Sequence, residues 1–204
     1  MKIIIAGIHT GIGKTVCSAA ICQGLGFDYW KPVQAGDLDQ SDSHFIKNHV
    51  THPHCKIHPE AYRLNTPMSP HEAARLDGIE IQLSNFQEPK TENNLVIETA
   101  GGILSPLAAG IQNMHLIEQL KHPVILVTNH YLGSINHTLL SITALRQKNI
   151  HILGMVISGV EVPSTASYLI AETQLPVLFR IPQLAPLNAA SLAKFVQENP
   201  ISLT

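Results

Sequence analysis

Nine residues near the N-terminus, Gly7-Ile8-His9-Thr10-Gly11-Ile12-Gly13-Lys14-Thr15, have the types and spacing of a phosphate cradle. Glycines let the backbone turn tightly and aim its N–H groups inward. A lysine ammonium reaches phosphate oxygens, and a threonine hydroxyl is the ligand that a phosphate-bound Mg²⁺ takes. The usual pattern leaves four residues between its first glycine and Gly-Lys-Thr; here Gly7 leaves five before Gly13, and position 8 is Ile.

Three further places offer chemistry. Glu98 closes the apolar run Leu95-Val96-Ile97 and precedes Thr99-Ala100-Gly101-Gly102, so an acid at a strand end faces the cradle and can bind Mg²⁺ directly or through water. Lys31, in Trp30-Lys31-Pro32-Val33, falls where a second strand ends, although taken alone a solvated surface lysine is the simpler reading. Asp42, after Ser41, is either a second acidic metal ligand or part of a helix cap. Ser134 opens a long helical pattern, either as an ordinary cap or as part of a carboxylate-binding helix terminus. The segment Asn129-His130-Tyr131-Leu132 lacks the Asn-Lys-x-Asp of guanine-reading GTPases, which excludes that class.

The elements that position these residues are legible as short apolar runs alternating with helical patterns. Strands are predicted near 2–6, 28–31, 94–98, 123–128, 151–157 and 176–181, and helices near 14–25, 41–49, 112–121, 134–148, 164–173 and 188–197. Runs such as Pro123-Val124-Ile125-Leu126-Val127 are apolar throughout, as strands covered on both faces are. The expectation is an α/β fold of the P-loop NTPase type, a parallel sheet of about six or seven strands with helices on both faces, in one domain over 1–204. Five prolines between 53 and 89 mark the stretch 50–92 as an excursion from the core, with short helices near 70–76 and 81–86. Ligands of such sheets sit beyond the carboxyl ends of the strands.

Taken together, these segments resemble the dethiobiotin synthetases. The family's Gly-Thr-Asp-Thr-x-Val-Gly-Lys-Thr loop, with the same extra residue, corresponds to Gly7–Thr15; its Tyr-Lys-Pro-Val to Trp30–Val33; its Ser-Asp to Ser41-Asp42; its Ser-Pro-His to Ser69-Pro70-His71. Its Glu-Gly-Ala-Gly-Gly is matched by Glu98–Gly102 and its Leu-Gly-x-Ile-Asn-His by Leu132–His137. The resemblance implies that Gly11, Ile12, Gly13, Lys14, Thr15 and Val16 wrap the phosphates of ATP and that Thr15, Asp42 and Glu98 hold Mg²⁺. It implies a catalytic set of Lys31, Lys14 and Thr10. Nucleotide contacts are further implied for Thr99, Ala100, Gly101, Ser158, Gly159, Pro182, Gln183 and Leu184.

The substrates implied are 7,8-diaminononanoate, CO₂ and ATP. Lys31, Ala35 and Gly102 would contact the diamine, and Ser134, Ile135 and Asn136 would hold its carboxylate across a homodimer interface, with Tyr168 from the second subunit. Three positions depart from the family pattern: His9 stands for Asp, Ala35 for Ser or Thr, and Ser158 for the Asn that reads adenine, which implies a looser hold on the base.

The chain has 204 residues, 45% hydrophobic content and a formal charge of −2, enough for one sizeable core and with no general attraction for nucleic acid. Three cysteines without a Cys-x-x-Cys suit reduced thiols, and no stretch reads as a secretory signal or membrane span, so a cytoplasmic protein without a membrane partner is expected. One alternative is a switch ATPase of the partitioning or positioning type, which carries a second lysine five residues before the P-loop lysine; His9 occupies that position here. Another is metal handling by His52, His54, Cys55 and His58, but their spacing matches no zinc module and reads better as a solvated loop.

Overall fold

A computed structural model describes residues 1–203. In chain order its elements are β1 (Lys2–Gly7), α1 (Lys14–Leu25), β2 (Asp28–Trp30), β3 (Val33–Ala35), α2 (Asp42–His49), β4 (Ile57–His58), β5 (Tyr62–Leu64) and α3 (Pro70–Asp77). There follow β6 (Leu95–Glu98), β7 (Pro106–Ala108), β8 (Ile111–Gln112), α4 (Asn113–Leu120), β9 (Val124–Thr128), α5 (Ser134–Gln147), β10 (Ile152–Ser158), α6 (Pro163–Thr173), β11 (Val177–Ile181) and α7 (Ala189–Glu198).

Seven strands form one parallel sheet in the order β11-β10-β9-β1-β6-β2-β4. β1 sits at its middle, and Ile3, Ile4, Ile5 and Ala6 are fully buried, which is why its sequence is apolar without alternation. The chain leaves β1 toward β2 on one side and later proceeds from β9 to β10 and β11 on the other. Right-handed crossovers therefore put α1 and α2 on one face and α4, α5 and α6 on the opposite face. α7 packs on α1 and α2. Helix α1 is buried along most of its length because it lies between the sheet and α7, and Gly24 makes that approach possible: a Cβ there would lie 2.8 Å from Val196. No helix among the described residues is long and apolar enough to cross a membrane.

The stretch 50–92 is less of an excursion than its prolines suggest. It returns β4 to the edge of the main sheet, supplies β5 to pair with β3, and buries Leu64, Ala73, Ala74 and Phe86 in the core. α3 forms where a short helix is predicted. The predicted helix at 81–86 does not: a single 3-10 turn spans Leu83–Asn85. The Tyr62 hydroxyl accepts the Gln82 N–H and an Asn85 side-chain N–H, each at 3.0 Å, which ties this turn to β5. The antiparallel hairpin β7–β8 has no counterpart among the predicted strands.

At the end of the sheet away from the expected site, Asp28 is completely buried. It accepts hydrogen bonds from the Lys56 backbone N–H (3.0 Å), the Thr91 hydroxyl (2.7 Å) and the Asn93 amide (2.9 Å), and pairs with His58 Nε2 (2.9 Å). Burial alone would raise its pKa, but the bonds from Thr91, His58, Lys56 and Asn93 outweigh burial and lower it. A depressed folded-state pKa contributes stability that is present above the ordinary carboxylate range near 4 and lost as pH falls through the lower folded value. Asp28→Asn is expected to cost about 1.5–3 kcal/mol at neutral pH, as loss of charge-assisted hydrogen bonds does. The gap in Tm from wild type should close below about pH 4; a gap unchanged down to pH 3 would contradict the assignment.

Candidate active site

The seven parallel strands of the sheet present their carboxyl ends on one side, and the chemistry-bearing residues meet there. The loop after β1 reaches α1 through Gly11 (φ +72°) and Gly13 (φ +93°). Gly13 caps the helix, and only glycine fits: the φ is left-handed and a Cβ would lie 2.2 Å from Ser158 Oγ. Lys14 opens α1, and its ammonium donates back to the His9 carbonyl at 3.1 Å, so it spans the loop whose N–H groups would meet phosphate.

Glu98, at the end of β6, is 1% exposed. The Thr15 hydroxyl lies 2.8 Å from Glu98 Oε1 and 2.8 Å from Asp42 Oδ1, bridging the two acids. Lys31, directly after β2, places its ammonium against Asp42 Oδ2 and 3.4 Å from Glu98 Oε1. Ser18 and Tyr29 donate to Glu98 Oε2 at 2.8 and 3.0 Å. Asp42 is the first residue of α2, and Ser41 before it is the cap, its hydroxyl accepting the His44 N–H. The cap and the acid are thus different residues, which frees Asp42 for the site.

These charges alter one another. Burial pushes the Lys14 ammonium down to about 8; Glu98 opposes that push and Lys31 reinforces it. Burial also opposes charging Lys31, yet Glu98 and Asp42 outweigh it and the net shift is upward. For Asp42, burial is offset by the Lys31 ammonium and the Thr15 hydroxyl, and the carboxyl is held below its usual range. Beside the cluster opens a cleft of about 450 Å³ lined by Thr10, Lys31, Ala35, Ser69, Gly101 and Ser105 among others.

Thr15, Asp42 and Glu98 are oxygen donors converging within hydrogen-bond distance of one another. Two carboxylate groups and a hydroxyl are too few for a dedicated cation cage, but they suit a hard cation that arrives with polyphosphate, as Mg²⁺ does. The four residues His52, His54, Cys55 and His58 do not gather: His52 packs on Gly26, His58 serves Asp28, and among the described residues no group of three or more such ligands could hold a metal ion.

The other expected positions are placed as follows. Val16 continues α1 beyond the cradle, and Ala100 lines the cleft. Ser158 ends β10 against Gly13, Gly159 (φ +85°) follows it, and Pro182, Gln183 and Leu184 follow β11, so all five lie at the carboxyl ends of these two adjacent strands. Ser134 is not the cap of α5. Gly133 (φ +99°) is, and the Ser134 hydroxyl turns back to accept the Tyr131 N–H at 3.3 Å. Ile135 and Asn136 fill the first turn of α5, and Tyr168 is exposed on α6; none of these three lines the Lys31 cleft. Gly102 lines a neighbouring cleft of about 340 Å³ with Leu104, His137 and Leu140. His9 faces Tyr131, ring centroids 6.4 Å apart.

Three residues of the cluster escaped the sequence reading. Ser18 lies one turn beyond Lys14 on the same face of α1, and Tyr29 lies two residues before Lys31 on the same face of its strand, so helical and strand periods could have pointed to both. Gln34 accepts the free Asp42 N–H at 3.3 Å and donates to the Gly36 carbonyl at 3.0 Å, bracing the start of α2; no local signal announces it.

A phosphate cradle with a buried lysine, a bridged pair of acids and a second lysine beside a substrate-sized cleft defines an ATP-using P-loop enzyme. Residues 1–191 match the family described as an AAA domain. The chain is 49% identical over 177 residues to the ATP-dependent dethiobiotin synthetase BioD of Christiangramia forsetii, covering 87% of this chain and 85% of that one. It is 45% identical to the protein of that name from Chlamydia pneumoniae (87% and 79% covered) and 42% identical to that from Rhodopseudomonas palustris (96% and 92%). The chain belongs to the dethiobiotin synthetase family of ATP-dependent ligases. Among solved structures, the septum site-determining protein MinD from Pyrococcus horikoshii, complexed with Mg-ADP, aligns with a TM-score of 0.58 at 15% identity over 100% of this chain and 91% of that one. A ParA family ATPase from Chlorobium tepidum aligns with a TM-score of 0.57 at 14% identity over 99% and 93%. At those identities what is shared is the fold.

Polyphosphate brought against Lys14 must raise a pKa that stands at about 8 in the free protein. Binding then takes up a proton wherever the free ammonium is partly deprotonated, and affinity for ADP is expected to fall as pH climbs from about 8 toward the ordinary lysine range near 10. Calorimetry at pH 8 in buffers of different ionisation enthalpy should report fractional proton uptake that Lys14→Met abolishes. Binding with no uptake would contradict the placement of Lys14.

Proposed function

We propose that this enzyme joins 7,8-diaminononanoate and CO₂ at the expense of ATP to form dethiobiotin, with Mg²⁺ as the cation. The observation that carries the reading is Lys31, a buried ammonium set between Asp42 and Glu98 at the mouth of a cleft that also opens on Thr10 of the cradle.

One amine of the diamine takes up CO₂ to give a carbamate. A carbamate oxygen attacks the γ-phosphorus of ATP, and ADP departs. The second amine then attacks the carbamoyl carbon of the mixed anhydride, phosphate leaves, and the cyclic urea closes. Carbamate and triphosphate are both anions, so their approach is the main electrostatic obstacle, and positioning cations contribute more than acid–base groups would.

Lys14 would neutralise charge on the β- and γ-phosphates. Lys31 would hold the carbamate oxygen in line with the γ-phosphorus, and Thr10 would donate to the transferring group. The cation, held by Thr15, Asp42 and Glu98, would offset phosphate charge. The exposed Tyr168, Leu104 and Leu140 support a homodimer in which the start of α5, with Ser134, Ile135 and Asn136, meets the substrate carboxylate of the partner's site. On this reading the enzyme works in the cytoplasm.

The test is phosphate release from MgATP with bicarbonate, with and without the diamine, following product by mass spectrometry. Strict dependence on the diamine with one dethiobiotin per phosphate is expected; release indifferent to the diamine would overturn the reading. Lys31→Gln should lower kcat by about 10²–10³ with a small change in KM for ATP, as loss of a transition-state charge partner does. A variant with wild-type kcat would remove Lys31 from the catalytic set.

A further inference from the structure

Glu98 is gripped unevenly. Its Oε2 accepts the Ser18 hydroxyl at 2.8 Å and the Tyr29 phenol at 3.0 Å, and both donor residues are fully buried. Its Oε1 faces the Thr15 hydroxyl at 2.8 Å and the Lys31 ammonium at 3.4 Å, two groups that also touch Asp42 on the open side of the cluster. A carboxylate oxygen has two lone pairs, so Ser18 and Tyr29 saturate Oε2. Rotating the carboxylate to present both oxygens outward would break two charge-assisted bonds and leave the Tyr29 hydroxyl unpaired in the core, while the Ser18 hydroxyl would keep only the Lys14 carbonyl at 3.0 Å.

The geometry points to Ser18 and Tyr29 as positioning residues that confine Glu98 to offering one oxygen toward a divalent cation, and so set the preference of the site for Mg²⁺ over Ca²⁺. This rests on the reading that Thr15, Asp42 and Glu98 hold that cation. Mg²⁺ demands near-ideal octahedral geometry, keeps several waters and is content with single-oxygen carboxylates. Ca²⁺ gathers six to eight oxygens and gains from a carboxylate that chelates with both. A glutamate whose second oxygen is already saturated denies Ca²⁺ that gain and costs Mg²⁺ nothing. Tyr29 suits the task because its ring fills core volume while its hydroxyl reaches the carboxylate, so Tyr29→Phe removes the bond and keeps the packing.

The test is cation competition against Mn²⁺, followed by the electron paramagnetic resonance of the metal in the presence of ADP, giving Kd for Ca²⁺ relative to Mg²⁺. In the double variant Ser18→Ala/Tyr29→Phe that ratio is expected to fall about tenfold, equivalent to about 1.4 kcal/mol. Each single substitution should give an intermediate fall, which keeps the test alive if the double variant does not fold. A ratio within about twofold of wild type in the folded single variants, with only Tm lowered, would make the pair structural and overturn the proposal. Wild-type protein that binds no Mn²⁺ with ADP would instead overturn the cation site itself, and this inference with it.

Discussion

An ionised carboxylate taken out of water is stable only when paired and hydrogen-bonded, and Glu98, 1% exposed, imposes that condition on everything around it. The partners come from different parts of the chain: Thr15 and Ser18 from α1, Tyr29 and Lys31 from β2 and the residue after it. Satisfying one buried charge therefore fixes the helix that begins at the cradle against two neighbouring strands of the sheet. Lys31 in turn is buried and needs a second acid, which Asp42 supplies from the start of α2, itself braced by Ser41 and Gln34. Removing one member of such a set leaves an unpaired charge in the core, the expensive case.

This constraint and the chemistry call for the same arrangement. The reaction proposed brings a carbamate to a triphosphate, and cations already fixed at the junction need not be reorganised when charge shifts in the transition state. The fold meets the cost of holding Lys14, Lys31, Asp42 and Glu98 together before any ligand arrives. The lowered pKa of Lys14 and raised pKa of Lys31 record the two outcomes of burial: Lys14 gains less from the acids than burial takes, whereas Lys31 gains more.

Much of this was legible in the sequence because it is local. The cradle is one contiguous run, and Glu98 announces itself by ending an apolar strand. Six strands of the main sheet, β1, β2, β6, β9, β10 and β11, fall where mostly apolar runs predict them. Lys31 was ambiguous alone and became a site residue only through its resemblance to a family motif, since nothing in Trp30-Lys31-Pro32 indicates which acids it will meet. β4, two residues long, carries no period to detect, and the 81–86 segment is too short for its pattern to separate a helix from the single 3-10 turn it forms. Ser134 had the composition of a cap, but Gly133 took that place because its φ of +99° suits glycine. Ser18 and Tyr29 share faces with Lys14 and Lys31, a signal the local period does carry, whereas nothing near Gln34 announces its bond to Asp42.

The most direct measurement is a double-mutant cycle between Lys31→Met and Glu98→Gln, read by urea unfolding of the ligand-free protein. If buried charge pairing organises the site before ligand binding, the two substitutions should couple by about 2 kcal/mol, with the double variant far less destabilised than the sum of the singles. Additivity to within about 0.5 kcal/mol would show that Lys31 and Glu98 do not depend on each other in the free protein, and would contradict the account.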